Sequence, residues 1–184
     1  MPAKKPHPLH LVLEGVDNTG KSTLIKQFID RFGPRPVIHY TKPEKTSVFS
    51  GHPDPLQEYQ YQSFVNGLHL LQQNNCPIVF DRFHLGEVVY SPRYRGYDGS
   101  YVFDLEGLID TSYTKLVLLT TSNWTIIEDD GLSFDFSKKE EEQNDFIEAF
   151  HKSRFANKQI VDIWDGKRRK TPNQILNELY GDQN

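Results

Sequence analysis

Cysteine is almost missing from this sequence: Cys76 is the only one in 184 residues. A lone thiol excludes an intramolecular disulfide and fits a reducing compartment. Its neighbours Pro77 and Ile78 predict ordinary structural burial. No apolar run approaches the roughly 20 residues that a membrane-spanning helix needs. The opening Met-Pro-Ala-Lys-Lys-Pro-His-Pro is basic, but only five mostly apolar residues separate it from Glu14, too few for a signal peptide. Residues 1–8 therefore read as a tail before a single domain over 9–184, in a cytoplasmic protein with no membrane partner. An excess of positive charge is absent too. Lys and Arg number 21 against 25 Asp and Glu, a formal net charge of −4, so global electrostatics draws the chain neither to nucleic acid nor to anionic membrane. Internal repeats are lacking, and the charge run Lys138 to Glu142 reads as a solvated first turn of a helix.

What is present is a phosphate-binding loop. Residues 15–22 read Gly-Val-Asp-Asn-Thr-Gly-Lys-Ser. The apolar run Leu9 to Leu13 precedes them, and Leu24, Ile25, Phe28, Ile29 and Phe32 follow at helical spacing. Strand, glycine loop and helix occur in the order that the motif requires. Gly15 and Gly20 let successive backbone N–H groups turn into one concavity that suits phosphate oxygens, and the helix N-terminus adds its positive dipole end. Lys21 is expected at the β- and γ-phosphates, and the Ser22 hydroxyl at the Mg²⁺ that bridges them. ATP and Mg²⁺ are thus the expected co-substrate and cofactor.

Beyond the loop, strands and helices alternate, which predicts a parallel sheet covered on both faces. Further strands are expected at Pro36–Tyr40, Pro77–Phe80, Lys115–Thr120 and Ile160–Trp164, and helices at Leu56–Asn75, Asp104–Asp110 and 137–158. A last helix begins at the cap and first-turn pair Thr171-Pro172. The stretch Tyr90 to Tyr101 carries four tyrosines and turn chemistry that predict neither a regular helix nor a central strand. The polar, glycine-interrupted residues 122–136 stand in the usual place for a lid.

The residues around the loop carry more than the phosphate pattern. Glu14-Gly15-Val16-Asp17-Asn18-Thr19-Gly20-Lys21-Ser22-Thr23 resembles the thymidylate kinase signature, and Asp81-Arg82-Phe83 resembles that family's second signature, Asp-Arg followed by an aromatic residue. The resemblance implies a P-loop NTPase fold, a three-layer α/β/α sandwich whose five-stranded parallel sheet runs in the order 2-3-1-4-5, with a short lid. It implies ATP binding by Gly15 through Thr23, and phosphoryl transfer to a thymidine-like pyrimidine deoxynucleotide such as dTMP or a modified dUMP. Lys21, Arg82, Asp17 and Glu14 are the implied catalytic groups. Asp17 is expected at the acceptor sugar, Arg82 between donor and acceptor phosphates, and Glu14 as base for an attacking hydroxyl, as a ligand of Mg²⁺-bound water or as a buried hydrogen-bond partner. Ser22 and Asp81 are the implied metal residues, Asp81 by holding metal-bound water at a strand's carboxyl end. Lys42, Phe64, Glu87, Arg93 and Arg95 complete the implied acceptor site. Lys45 is an alternative to Lys42, and the family's frequent homodimer is a further expectation.

The sequence departs from that family in what it lacks. The P-loop holds Asn18-Thr19 instead of an arginine, and no arginine occurs between Arg95 and Arg154. The cation of the transition state must come from elsewhere, with Arg93, Arg95, Lys138 and Lys139 as candidates and Arg154 placed farther out. Residues 56–75 contain neither lysine nor arginine, so the usual receptor of an acceptor monophosphate is missing there. The run from His84 to Tyr97 resembles thymidylate-kinase-like proteins of bacteriophages; its interleaved Arg and Tyr suit either an acceptor-side wall whose arginines bind the free nucleotide or stacking on unpaired bases. A DNA kinase acting on 5-hydroxymethyluracil in DNA during thymidine hypermodification is therefore the alternative, with DNA as partner. The basic run Lys167-Arg168-Arg169-Lys170 fits either a solvated loop near the donor base or a DNA backbone contact. A deoxynucleoside kinase is disfavoured by Asp81-Arg82-Phe83 in place of Glu-Arg-Ser, and a nucleotide switch or DNA-dependent ATPase by the lack of an arginine-finger signature.

Overall fold

A computed structural model describes residues 10–40, 53–72, 76–128 and 135–181. Its strands are β1 (His10–Glu14), β2 (Val37–His39), β3 (Val79–Asp81), β4 (Thr114–Thr120) and β5 (Asn157–Asp162). They form one sheet in the order β2-β3-β1-β4-β5, parallel throughout. The α-helices are α1 (Lys21–Phe32), α2 (Pro53–Leu71), α3 (Leu85–Tyr90), α4 (Val102–Glu106), α5 (Lys139–Lys152) and α6 (Pro172–Tyr180).

Side-chain alternation along the strands builds two cores. Val12, Phe80, Leu116 and Leu118 face Phe64 and Leu68 of α2, Val89 of α3 and Phe146 and Phe150 of α5. Leu11, Leu13, Val79, Val117 and Leu119 face Leu24, Ile25 and Phe28 of α1 and Ile175 and Leu176 of α6. Every residue of β1 and β4 is buried, as expected of strands covered on both faces. Cys76 is half-buried against the first core. Among the described residues no helix is long and apolar enough to cross a membrane.

Several elements differ from the sequence expectation. The helix expected over 137–158 ends at Lys152, because Ser153 is extended and the Lys158 ammonium donates to the carbonyls of Phe150, His151 and Ser153 at 2.6–3.2 Å. A cation on those terminal carbonyls is a C-cap. β5 consequently begins at Asn157, three residues earlier than expected, and its polar, half-exposed start hid it from periodicity. The stretch after Asp81-Arg82-Phe83 is helical: α3 runs directly into a π-helical turn at Ser91–Arg95. Within the lid span, a 3₁₀ turn occupies Trp124–Ile126 and residues 129–134 lie outside the described residues, as does the 1–8 tail.

A buried polar cluster locks α4 to the end of α5. Glu106 accepts from Ser153 Oγ at 2.7 Å and Arg154 N at 2.6 Å, and lies 2.5 Å from His84 Nε2. His84 and Glu106 are 1% and 2% exposed. Removing the carboxylate strands three buried donors without solvent, each at a cost of about 1–3 kcal/mol. Glu106→Ala is expected to lower the unfolding free energy by at least about 3 kcal/mol in urea titration; a loss below about 1 kcal/mol would mean that the cluster is dispensable.

Candidate active site

The site lies where the carboxyl ends of β1 and β3 sit side by side. Leu13 is in register with Asp81, and Arg82 N donates to Leu13 O at 2.8 Å, so the residues after each strand emerge together. Gly15 (φ 134°) opens the P-loop; a Cβ there would lie 2.4 Å from Leu119 O, so only glycine permits this approach to β4. Thr19 Oγ1 closes the loop on Val16 O at 2.9 Å. Asn18 and Arg82 hold left-handed backbone (φ 65° and 64°), a conformation that non-glycine residues adopt at a cost and that clusters at functional sites.

Lys21 is 5% exposed and folds into the loop, donating to Gly15 O at 2.9 Å and Val16 O at 2.7 Å. Burial first, then the Arg82 charge, bring its ammonium down to about 8, against the pull of Asp17, Asp81 and Glu14. Ser22 Oγ donates to Asp81 Oδ2 at 3.2 Å. Among the described residues, Asp81 Oδ1 is buried with no protein partner. A hydroxyl beside a carboxylate with an unsatisfied oxygen fits Mg²⁺, a hard cation that keeps several waters and takes its other ligands from phosphate. The same Asp81 Oδ2 lies 3.1 Å from Nδ1 of His39, at the end of β2, which sequence reasoning had not singled out.

Glu14 is fully buried. Its Oε1 accepts from Phe83 N at 3.0 Å and Leu85 N at 2.9 Å, fixing the turn that carries Arg82. Burial pushes its carboxyl up, against His84, the Leu85 and Phe83 amides and Lys21. Asp17 receives Arg82 on Oδ1 and Lys139 on Oδ2 at 3.4 Å. Burial acts to raise its carboxyl, but Arg82, Lys21 and Lys139 together hold it below the ordinary value.

Other expected residues lie elsewhere. Phe64 is 3% exposed, stacked on Tyr40 with an edge against Phe83, which makes it a core residue instead of a wall open to an acceptor. Glu87 is buried and accepts from Arg95, Tyr97 (2.7 Å) and Tyr101 (2.9 Å). Arg93 pairs with Asp145 at 2.5 Å and Glu141 at 3.3 Å. The arginines of the tyrosine-rich stretch are thus neutralised within the fold. Lys42 and Lys45 lie outside the described residues.

The expected solvated charge run is corrected in part. Lys138, Glu140 and Glu141 are exposed, whereas Lys139 and Glu142 are buried. Their i,i+3 spacing in the sequence was the signal available for that pair. Two contacts hold the loop's rim: Asn18 Nδ2 donates to Glu128 O at 2.8 Å, and Arg169 Nη2 donates to Asn18 O at 3.0 Å. Arg169 comes from the expected basic run, where Lys170 instead pairs with Glu178.

No protein-family model matches the sequence, and no curated protein does. Solved structures match across nearly the whole chain. The YorR protein of Bacillus subtilis, in complex with phosphorylated GDP, gives a TM-score of 0.60 at 17% identity, covering 91% of this chain and 93% of its own. Deoxyadenosine kinase from M. mycoides, with dCMP and dCDP, gives 0.57 at 18% over 94% of this chain and 100% of its own. Thymidylate kinase from Candida albicans gives 0.55 at 15% over 93% and 88%. With the strand order and the flanking helices, this likeness establishes the P-loop kinase α/β fold.

The lowered Lys21 ammonium has a pH consequence. Polyphosphate needs the charged form, whose fraction in the free protein falls as pH rises through about 8. Tripolyphosphate affinity by calorimetry is expected to drop towards about tenfold per pH unit above that point, the limit for one linked proton. In Lys21→Met the affinity should be weak and flat over the same range, and a pH-independent parent would contradict the assignment.

Proposed function

We propose that this chain is an ATP- and Mg²⁺-dependent phosphotransferase acting on a thymidine-like pyrimidine deoxynucleotide, dTMP or a modified dUMP, in the cytoplasm. The observation that carries the reading is the meeting of two strand ends. β1 delivers a phosphate cradle with Lys21 and Ser22, and β3 delivers Asp81 to Ser22 and Arg82 to Asp17. Solved relatives in fold that are a thymidylate kinase and a deoxyadenosine kinase support the same class.

Catalysis in such a site rests on positioning and charge neutralisation. The amides from Gly15 to Thr23 hold the donor phosphates and Lys21 transfers its hydrogen bonds from the Gly15 and Val16 carbonyls to phosphate oxygens. Ser22 and Asp81 would hold Mg²⁺, which would offset negative charge on the donor phosphates. Arg82, oriented by Asp17 and by the Glu14-anchored turn, offsets charge between donor and acceptor. Glu14 acts through Oε1 as that anchor, since the Phe83 and Leu85 amides both donate to it, while Oε2 is buried with no partner among the described residues.

A second reading keeps the donor half and makes 5-hydroxymethyluracil in DNA the acceptor. The lack of any lysine or arginine on α2 favours it, while the internal pairing of Arg93 and Arg95 removes cations that would have met a DNA backbone. Incubation with labelled ATP and Mg²⁺ alongside dTMP, hydroxymethyldeoxyuridine monophosphate, thymidine and hydroxymethyluracil-containing DNA distinguishes them. Label on a free monophosphate is expected, and lost in Lys21→Ala. Label on DNA alone would establish the second reading, and phosphate release without any labelled acceptor would overturn both.

A further inference from the structure

We infer that Lys139 is the cation that stabilises the transferring phosphoryl group, taking the place of the arginine that neither the P-loop nor the segment before α5 contains. The inference rests on the phosphotransferase reading and identifies which side chain completes it.

Among the candidate cations the structure separates one. Arg93 pairs with Asp145 and Glu141 on α5 and Arg95 with Glu87 on α3, and among the described residues neither pairs with the P-loop. Lys138 is exposed, and the Arg154 guanidinium lies against Gly107, beside α4. Lys139 alone of these reaches the P-loop: the residue is 3% exposed and its ammonium lies 2.9 Å from Glu142 Oε2 and 3.4 Å from Asp17 Oδ2. Arg82 holds the other oxygen of Asp17. Two cations from different elements therefore converge on one carboxylate two residues into the loop.

The placement runs against local preference. A lysine in the first turn of a helix opposes the macrodipole, and here Glu140, Glu141 and Glu142 supply the charge that the terminus favours. A buried ammonium also carries a desolvation cost that an apolar residue of similar volume would avoid. Local rules broken together mark functional positions. Glu142 is built to hold this cation: Tyr94 donates to its Oε1 at 2.6 Å, leaving Oε2 to Lys139. Glu142 and Asp17 are positioning residues that keep Lys139 at the loop.

In the transfer, a lone pair on the acceptor oxygen forms the new P–O bond as the bond from the γ-phosphorus to the β,γ-bridging oxygen breaks, and that electron pair leaves on ADP. Lys139 donates hydrogen bonds to the non-bridging oxygens of the phosphoryl group. It exchanges no proton. Its contribution is thus made in the transition state and little in the ground state.

The test compares parent, Lys139→Met and Lys139→Arg for binding of Mg·ADP and of Mg·ADP with aluminium fluoride, a mimic of the transferring phosphoryl group, together with steady-state transfer to the acceptor found above. Lys139→Met is expected to bind ADP within about threefold of parent, to lose about a hundredfold or more in affinity for the mimic, and to lose a similar factor in kcat with little change in KM for ATP. Lys139→Arg should recover part of both. Equal mimic affinity in Lys139→Met and parent would overturn the inference, as would loss of ADP and mimic binding by the same factor in Lys139→Met, the signature of a purely structural ion pair. Failure of the parent itself to bind Mg·ADP would instead strike the phosphotransferase reading on which the inference rests, and overturn both.

Discussion

The site depends on one buried carboxylate. Glu14 ends β1, is shut off from water and accepts the amides of Phe83 and Leu85. Burying a carboxylate is costly unless donors meet it, and here the donors belong to the turn that leaves β3. The P-loop and the Asp81-Arg82 turn are thereby fixed to each other and not merely adjacent. The left-handed backbone of Arg82 is held in the same way, between a ladder hydrogen bond to Leu13 and the Glu14 anchor. Strain at a functional position survives because the surroundings over-determine it.

Around that anchor the charges form a closed set. Lys21, Arg82 and Lys139 surround Asp17, and Glu142 balances Lys139 from behind. The tyrosine-rich stretch contributes to the same economy from within the fold, since its hydroxyls serve Glu87 and Glu142. Burial, followed by Glu87, raises the Tyr97 phenol to about 12, so it remains a donor to that carboxylate at ordinary pH. Tyr90 adds a buried hydroxyl with no partner among the described residues, facing the Asp17 and Glu142 charges. The hydroxyls of this stretch thereby tie it to α3 and α5.

The sheet, and the meeting of the P-loop with the end of β3, were legible in the sequence. Apolar runs gave β1 and β4, and the Thr171 capping box gave the start of α6. The loop pattern named Lys21 and Ser22, and the strand-end rule named Asp81. Other features depended on long-range partners that no local pattern records. α5 stops at Lys152 because Lys158, six residues on, caps it. Phe64 is core because Tyr40 and Phe83 cover it. Lys139 and Glu142 sit in a run that composition reads as solvent-facing, and only the packing of α5 beside the P-loop turns two of its members inward. Arg93 and Arg95 looked available because their carboxylate partners, Glu141, Asp145 and Glu87, meet them only through helix packing and the π-helical turn.

The central claim is that the strand ends of β1 and β3 form one phosphoryl-transfer site. A crystal structure with Mg²⁺ and a non-hydrolysable ATP analogue tests it most directly. The account predicts the β- and γ-phosphates against the amides of residues 15–23, the Ser22 hydroxyl on the metal, and Lys21 moved from the Gly15 and Val16 carbonyls to phosphate, with Arg82 and Lys139 flanking the terminal phosphate. Nucleotide bound away from the loop, with Lys21 still on those two carbonyls, would contradict it.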